Sequence, residues 1–248
     1  MKKKVIGSLL LALLSASPAY ANFYVRGSAG LTFADDSRYA YTWDTIVIPM
    51  FTGQSIKHGV DTGRTIFNTG SILNGAVGYD FGVFRAEGEI CFQNNGVNRF
   101  SGTIDENTSM PYPPFHSSYN ATYNTDVSEN DISETVVSYM LNGYVDIDLH
   151  SRRITPYVMG GLGNAAVKRE YRTASHEDNV FAWQVGTGVA VKVADKSTVD
   201  IGYRYFKANN LYFNDSHYID PTDTQYSQSG THHDKSSHNI TVSFRQDL

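Results

Sequence analysis

From residue 136 to residue 147 the chain alternates. Val137, Tyr139, Leu141, Gly143, Val145 and Ile147 fall on one side, and Ser138, Met140, Asn142, Tyr144 and Asp146 on the other. A period of two marks a strand with one apolar and one polar face. After the polar break at 148–153 a second run of similar length starts at Ile154 and continues to Val167, which predicts a long hairpin. Strands of roughly nine to eleven residues with this pattern are what a closed barrel needs to cross a bilayer.

Six further segments, 23–33, 71–81, 83–93, 180–193, 198–206 and 238–248, repeat the pattern. In the first, Phe23, Val25, Ala29, Leu31 and Phe33 oppose Tyr24, Arg26, Ser28 and Thr32. In 83–93, Arg85, Glu87 and Glu89 share one face, and three charges on one face of a strand must look into something polar. The connections alternate in length. The stretches 34–67, 94–131, 168–179 and 207–237 are polar and read as loops, whereas the breaks at 80–82, 148–153 and 194–197 are short turns. The expected fold is therefore all-β: an eight-stranded antiparallel transmembrane up-and-down β-barrel with four long external loops and three short periplasmic turns.

Composition narrows the compartment. Lys2, Lys3 and Lys4, an apolar run from Val5 to Leu14, and Ala19, Tyr20 and Ala21 read as a secretory signal peptide over 1–21, leaving a barrel domain at 22–248. Without that segment the formal charge is −8, from 17 basic and 25 acidic residues, which disfavours nucleic acid as a partner. The single Cys91 excludes an internal disulfide framework. The 17 Tyr, 13 Phe and 21 Gly suit an all-β chain with aromatic girdles.

The runs RGSAG (26–30), FRAEGEICF (84–92), LNGYVDI (141–147), PYVMGGLGNA (156–165), FAWQVGTGVAVKV (181–193) and VDIGYRYF (199–206) resemble the eight-stranded outer-membrane barrels of the opacity-protein and outer-membrane protein A-like group. The likeness covers the proposed strands and none of the long connections. LNGYVDI together with the late Gly230, Thr231 and His232 is loosely similar to rickettsial surface-antigen and adhesin barrels. The resemblance implies a surface-exposed outer-membrane protein serving adhesion, immune exposure or envelope integrity. Its implied partners are outer-membrane lipid and lipopolysaccharide, host-cell surface or matrix proteins, and the periplasmic chaperones and barrel-assembly machinery during insertion. Such barrels usually end in an aromatic residue; here Phe244 is followed by Arg245, Gln246, Asp247 and Leu248.

Candidate chemistry is sparse. Arg26, Arg85, Glu87, Glu89, Asp146, Lys192, Asp200, Arg204 and Arg245 all project to the polar face, where a narrow barrel interior favours ion pairing over conduction. A small porin-like channel or an envelope-stabilising barrel is the alternative reading. Gly161, Gly163 and Ala166 match a dinucleotide fingerprint in form but lie inside an alternating segment, where small residues beside bulky neighbours explain them better. His58, His116, His176, His217, His232 and His233 sit in the presumed loops and could bind haem or metal only if a fixed surrounding shell converged them. His238 with Ser236 or Ser237 suggests a lipid-modifying hydrolase, without an identifiable third partner. No catalytic, cofactor-binding or metal residue is assigned, and no enzyme activity or cofactor is expected. The best lead is the aromatic content of the long connections, Tyr39, Tyr41 and Trp43 in one and Tyr112, Phe115, Tyr119 and Tyr123 in another, among small polar spacers of the kind that paratopes use.

Overall fold

The computed structural model describes residues 22–47, 55–111, 114–127, 132–149, 151, 153–170, 175–212, 218–219, 225–229 and 232–248. The signal peptide expected at 1–21 lies outside them. Among the described residues thirteen strands run in chain order: β1 (Asn22–Ala34), β2 (Ser37–Val47), β3 (Ser55–Phe67), β4 (Gly70–Asp80), β5 (Phe84–Pro111), β6 (Pro114–Asp126), β7 (Ser133–Asp146), β8 (Ile154–Glu170), β9 (Ser175–Ala194), β10 (Ser197–Tyr212), β11 (Tyr218–Ile219), β12 (Gln225–Ser229) and β13 (His232–Asp247). None of the described residues is helical.

Eight of these strands close on themselves. β1 pairs with β13 and β4, β13 with β10, β10 with β9, β9 with β8, β8 with β7, β7 with β5, and β5 with β4, all antiparallel. The ring has no free edge, so every wall strand satisfies its backbone laterally, as a bilayer requires. These are the eight strands that the periodicity predicts, and the three turns between them at one end are short; the first carries Gly82 at φ 97°.

Burial follows the alternation. Along β4 the side chains are buried and exposed by turns, and Val25, Leu73, Val77, Ile90, Leu141, Leu162, Phe181, Val185, Ile201 and Val242 all point outward. The apolar face is thus outside and the polar face inside, the inverse of a water-soluble barrel. Aromatic residues bracket this band. Phe23, Tyr79 and Phe81 stack edge to face near the short turns, and Trp183, Tyr205, Tyr203 and His238 cluster towards the other end.

The connections differ from expectation. Much of what reads as loop in 34–67, 94–131 and 207–237 is strand, forming a second antiparallel sheet in the order β11-β12-β2-β3-β5-β6. Its spine is β5, 28 residues long, whose first part lies in the barrel wall and whose last part, from Arg99, lies in the outer sheet. The change of sheet coincides with a register shift opposite Ile66 and Phe67, where Asn98 is the extra residue. Both faces of this sheet meet water, so no apolar stripe recurs at every second position. That is why periodicity in hydrophobicity misses it.

Candidate functional site

Inside the barrel, side chains fill the lumen. Tyr24 and Arg26 from β1, Glu87 and Glu89 from β5, Asn142 and Tyr144 from β7, Gln184 from β9 and Arg204 from β10 all occupy inward positions and are buried. Arg26 donates from Nε to Glu87 Oε1 (3.0 Å) and from Nη2 to Glu87 Oε2 (2.5 Å) and Glu89 Oε2 (2.8 Å). Arg204 Nη1 donates to both oxygens of Glu89, at 2.9 and 2.7 Å. Tyr24 and Tyr144 donate to opposite oxygens of Glu87, each at 2.8 Å. Gln184 Nε2 joins Glu89 (3.2 Å) to Asn142 (2.7 Å). Two guanidiniums and two carboxylates thus neutralise each other away from solvent, the condition under which buried charge is tolerated. Glycines make room for the rings: a Cβ on Gly78 would lie 2.2 Å from the Tyr24 ring, and one on Gly188 would lie 2.4 Å from the Tyr157 hydroxyl.

A second cluster lies nearer the outer sheet. Glu134 takes Arg169 at 2.6 Å and Lys235 at 2.5 Å, and the Lys235 ammonium sits 3.9 Å from the centre of the Phe67 ring. All three charged residues fall in stretches that read as loop or at the edge of one, which is why the hydrophobic pattern misses them. The clue available is the continued alternation of Glu134, Val136 and Ser138. At the opposite end, Arg85 clamps Asp146 with two hydrogen bonds of 2.9 and 2.8 Å, and Tyr157 donates to Asp200 at 2.9 Å.

The lumen charges expected from the sequence therefore all sit on the inward set. Glu87 and Glu89 are locked by arginines rather than exposed to a substrate. Gly161 and Gly163 are strand residues in β8, and a Cβ on either would meet a β7 neighbour, Asn142 or the Tyr139 carbonyl, at 2.0 Å. For His238 a third partner does exist, but the wiring is not that of a hydrolase. Its Nδ1 faces the Tyr203 hydroxyl at 2.6 Å and its Nε2 faces Asp35 at 3.4 Å, while the Ser236 hydroxyl donates to Asp35 (2.6 Å) rather than to the imidazole. Of the other histidines, His58 and His116 lie exposed on β3 and β6. The side chains at 176, 217, 232 and 233 lie outside the described set, and among the described residues no group of three His, Cys, Asp or Glu is arranged to hold a metal.

The outer sheet collects the aromatic residues. Paired register puts Tyr39, Gly63, Gly102 and Tyr123 in one row across β2, β3, β5 and β6, and Gly59, Glu106 and Tyr119 in another row on the same face. Backbone register puts residues Tyr41 and Trp43 in the same alternate set of β2 as Tyr39. The two glycines let the rings of Tyr39 and Tyr123 lie flat across β3 and β5, where their hydroxyls hydrogen-bond to each other. Tyr123 also donates to Asp61 at 2.8 Å, and the Lys57 ammonium pairs with Glu106 at 3.2 Å. Burial of the Tyr123 hydroxyl, then its hydrogen bonds with Tyr39 and Asp61, push its pKa well above the ordinary tyrosine range. Burial likewise raises that of Asp61, with the Tyr123 hydrogen bond acting in the opposite direction. Tyr119 stays 61% exposed. The sequence signal for this face is aromatic spacing: Phe115, Tyr119 and Tyr123 are four apart, an even number, hence one side of a strand. Tyr112 lies outside the described residues.

Relatives of this chain are found by sequence and by fold. An uncharacterized protein of Brucella melitensis biotype 1 is 27% identical over 210 residues, covering 77% of this chain and 70% of its own, and one of Brucella suis biovar 1 is 26% identical over 209 residues, with the same coverage. Neisserial surface protein A superposes over 92% of this chain and 99% of its own, with 12% identity and a TM-score of 0.43. The profile of the outer membrane protein beta-barrel domain matches residues 6–244. The chain belongs to the outer membrane protein beta-barrel domain family, and its eight-stranded wall, apolar outside and charged within, sits in the outer membrane.

Proposed function

We propose that this protein is a non-catalytic surface adhesin or surface antigen that contacts host or neighbouring surfaces through the aromatic-bearing face of its outer sheet, carried by one barrel domain at 22–248. The observation that supports this most directly is the hydrogen-bonded cluster of Tyr39, Tyr123 and Asp61 beside exposed Tyr119. Rings held by hydrogen bonds lose little freedom when a partner arrives, and tyrosine offers large contact area together with a polar tip. The competing role, a small porin-like channel, needs a continuous aqueous path. Arg26, Glu87, Glu89, Arg204, Tyr24 and Tyr144 lie across the lumen at one level and bond one another there, which weighs against it.

The test compares binding of bacteria carrying the wild-type protein, the Tyr119→Ser variant and a form with residues 99–126 replaced by a short Gly-Ser link. Cultured host cells and immobilised matrix proteins serve as targets. The expected result is a several-fold loss with Tyr119→Ser and a complete loss with the link, while heat-dependent gel mobility shows the barrel intact in both. Binding equal to wild type in both variants would sink the proposal.

A further inference from the structure

The periplasmic mouth of the barrel brings Arg85, Arg153, Lys192 and Arg245 together with Asp146, while Asp80 and Asp247 face Arg245 from beside it. A cavity of about 100 Å³ there is lined by Arg85, Arg153, Lys192 and Arg245, by the hydroxyls of Thr155 and Thr198, and by Asp146. That carboxylate is already committed, since both its oxygens accept from Arg85. Of the neighbouring acids, Asp200 accepts from Tyr157, Asp80 accepts from the backbone N–H of Gly82 at 2.7 Å, and Asp247 turns a buried Oδ1 that makes no hydrogen bond towards Arg245. Arg245 is held only loosely, 3.6 Å from Asp80 and 3.6 Å from Asp247, and its buried Nε makes no hydrogen bond. The side chains of Arg153 and Lys192 form no ion pair with any described residue. Their backbones are tied just before β8, with Lys192 N–H donating to the Arg153 carbonyl at 2.8 Å, so the two exposed side chains start from neighbouring positions.

Aromatic rings stand against two of these guanidiniums. The Arg85 guanidinium lies 4.5 Å from the centre of the Tyr144 ring and 5.2 Å from that of Tyr157, and Arg245 lies 5.1 Å from that of Tyr24. Arg85 and Arg245 face carboxylates, so the positive charge left without an ion pair among the described residues at this mouth is that of Arg153 and Lys192. A ligand entering from the periplasm meets guanidinium forks, an ammonium and two hydroxyl donors, a set that matches the oxygens of a phosphate group.

We propose that the periplasmic mouth is an oxyanion site for one phosphate group, held by Arg153, Lys192 and Arg245 with Thr155 and Thr198. The group comes either from inorganic phosphate in the periplasm or from the headgroup of an anionic phospholipid in the inner leaflet. The site is independent of the outer sheet and of any adhesive role.

The experiment uses full-length mature protein refolded in a zwitterionic detergent without phosphate. Inorganic phosphate is titrated at constant ionic strength and followed by calorimetry and by ³¹P line width. Wild-type protein should saturate with one phosphate per barrel, and the Arg153→Gln/Lys192→Gln double variant, having lost two charge-assisted donors, should bind roughly tenfold more weakly or worse. Both substitutions lie at the exposed rim, and heat-dependent gel mobility confirms that the variant barrel has formed. Linear, non-saturating titration of wild type, or an isotherm unchanged in the double variant, overturns the proposal. A second arm repeats the titration in phosphatidylcholine nanodiscs with and without phosphatidylglycerol. Loss of inorganic phosphate binding when phosphatidylglycerol is present assigns the site to the headgroup, and unchanged binding assigns it to the free anion.

Discussion

Glu89 receives hydrogen bonds from Arg26, Arg204 and Gln184, and its side chain is closed to solvent. Glu89→Gln leaves two guanidiniums facing one remaining carboxylate, Glu87. Removing one partner of a buried pair costs about 3–5 kcal/mol because the other charge stays desolvated. The urea midpoint of the refolded barrel should fall accordingly with an unchanged slope, and Glu89→Gln combined with Arg204→Met should recover most of the loss. A single variant as stable as wild type would show the lumen to be wetter than its geometry implies. In the outer sheet, Tyr123 gives a pH-dependent prediction. A hydroxyl whose folded pKa is raised contributes stability that is fully present below the ordinary tyrosine value, near 10, and is lost as pH rises through the higher folded value. Alkaline difference spectra of wild type should therefore leave Tyr123 un-ionised above the bulk together with the lumen tyrosines bonded to carboxylates, and Asp61→Asn should bring a single tyrosine back towards the bulk. A single common transition in wild type would count against the buried hydrogen bond. The lumen residues are legible in the sequence because charge on alternate positions can only face inward. Glu134, Arg169 and Lys235 are not, because their strands continue into segments where polarity on both faces hides the alternation.

Among the elements, β5 joins the two sheets. Its wall part pairs with β4 and β7 up to Asn94 and Gly96, and its outer part pairs with β3 from Val97 and with β6 from Arg99. The extra residue Asn98 sets the phase between them, since a strand's side chains change face with every residue. Deleting Asn98 should turn the outer part of β5 by one position, moving Gly102 out from beneath the Tyr123 ring. The expected outcome is rapid proteolysis of 99–126 on whole cells with normal heat-dependent mobility of the barrel. Protease resistance equal to wild type would mean that another residue absorbs the shift. The wall strands can be read from the sequence because lipid demands an apolar residue at each outward position, as at Tyr139 and Leu141 on β7 and Leu162 on β8. The outer strands meet no such demand, and only the even spacing of Tyr39, Tyr41 and Trp43, and of Phe115, Tyr119 and Tyr123, carries their signal.

For the whole molecule, the two sheets have different grounds for stability. The barrel is closed, so opening any one seam exposes two rows of backbone groups to hydrocarbon, and it should open only as a unit. Among the described residues the outer sheet has free edges at β11 and β6 and is held by surface pairs such as Arg99 with Asp126 and Lys57 with Glu106, which are worth little individually. It is therefore the region of low local stability, where sub-global opening begins. Limited proteolysis of protein in nanodiscs should trim β2, β3, β6, β11 and β12 first and leave eight protected wall segments still associated. Mass spectrometry of the products reads this directly. Cleavage within the wall strands before the outer sheet is lost would show that the barrel depends on its extension, and that the aromatic face and the membrane wall fold as one cooperative unit.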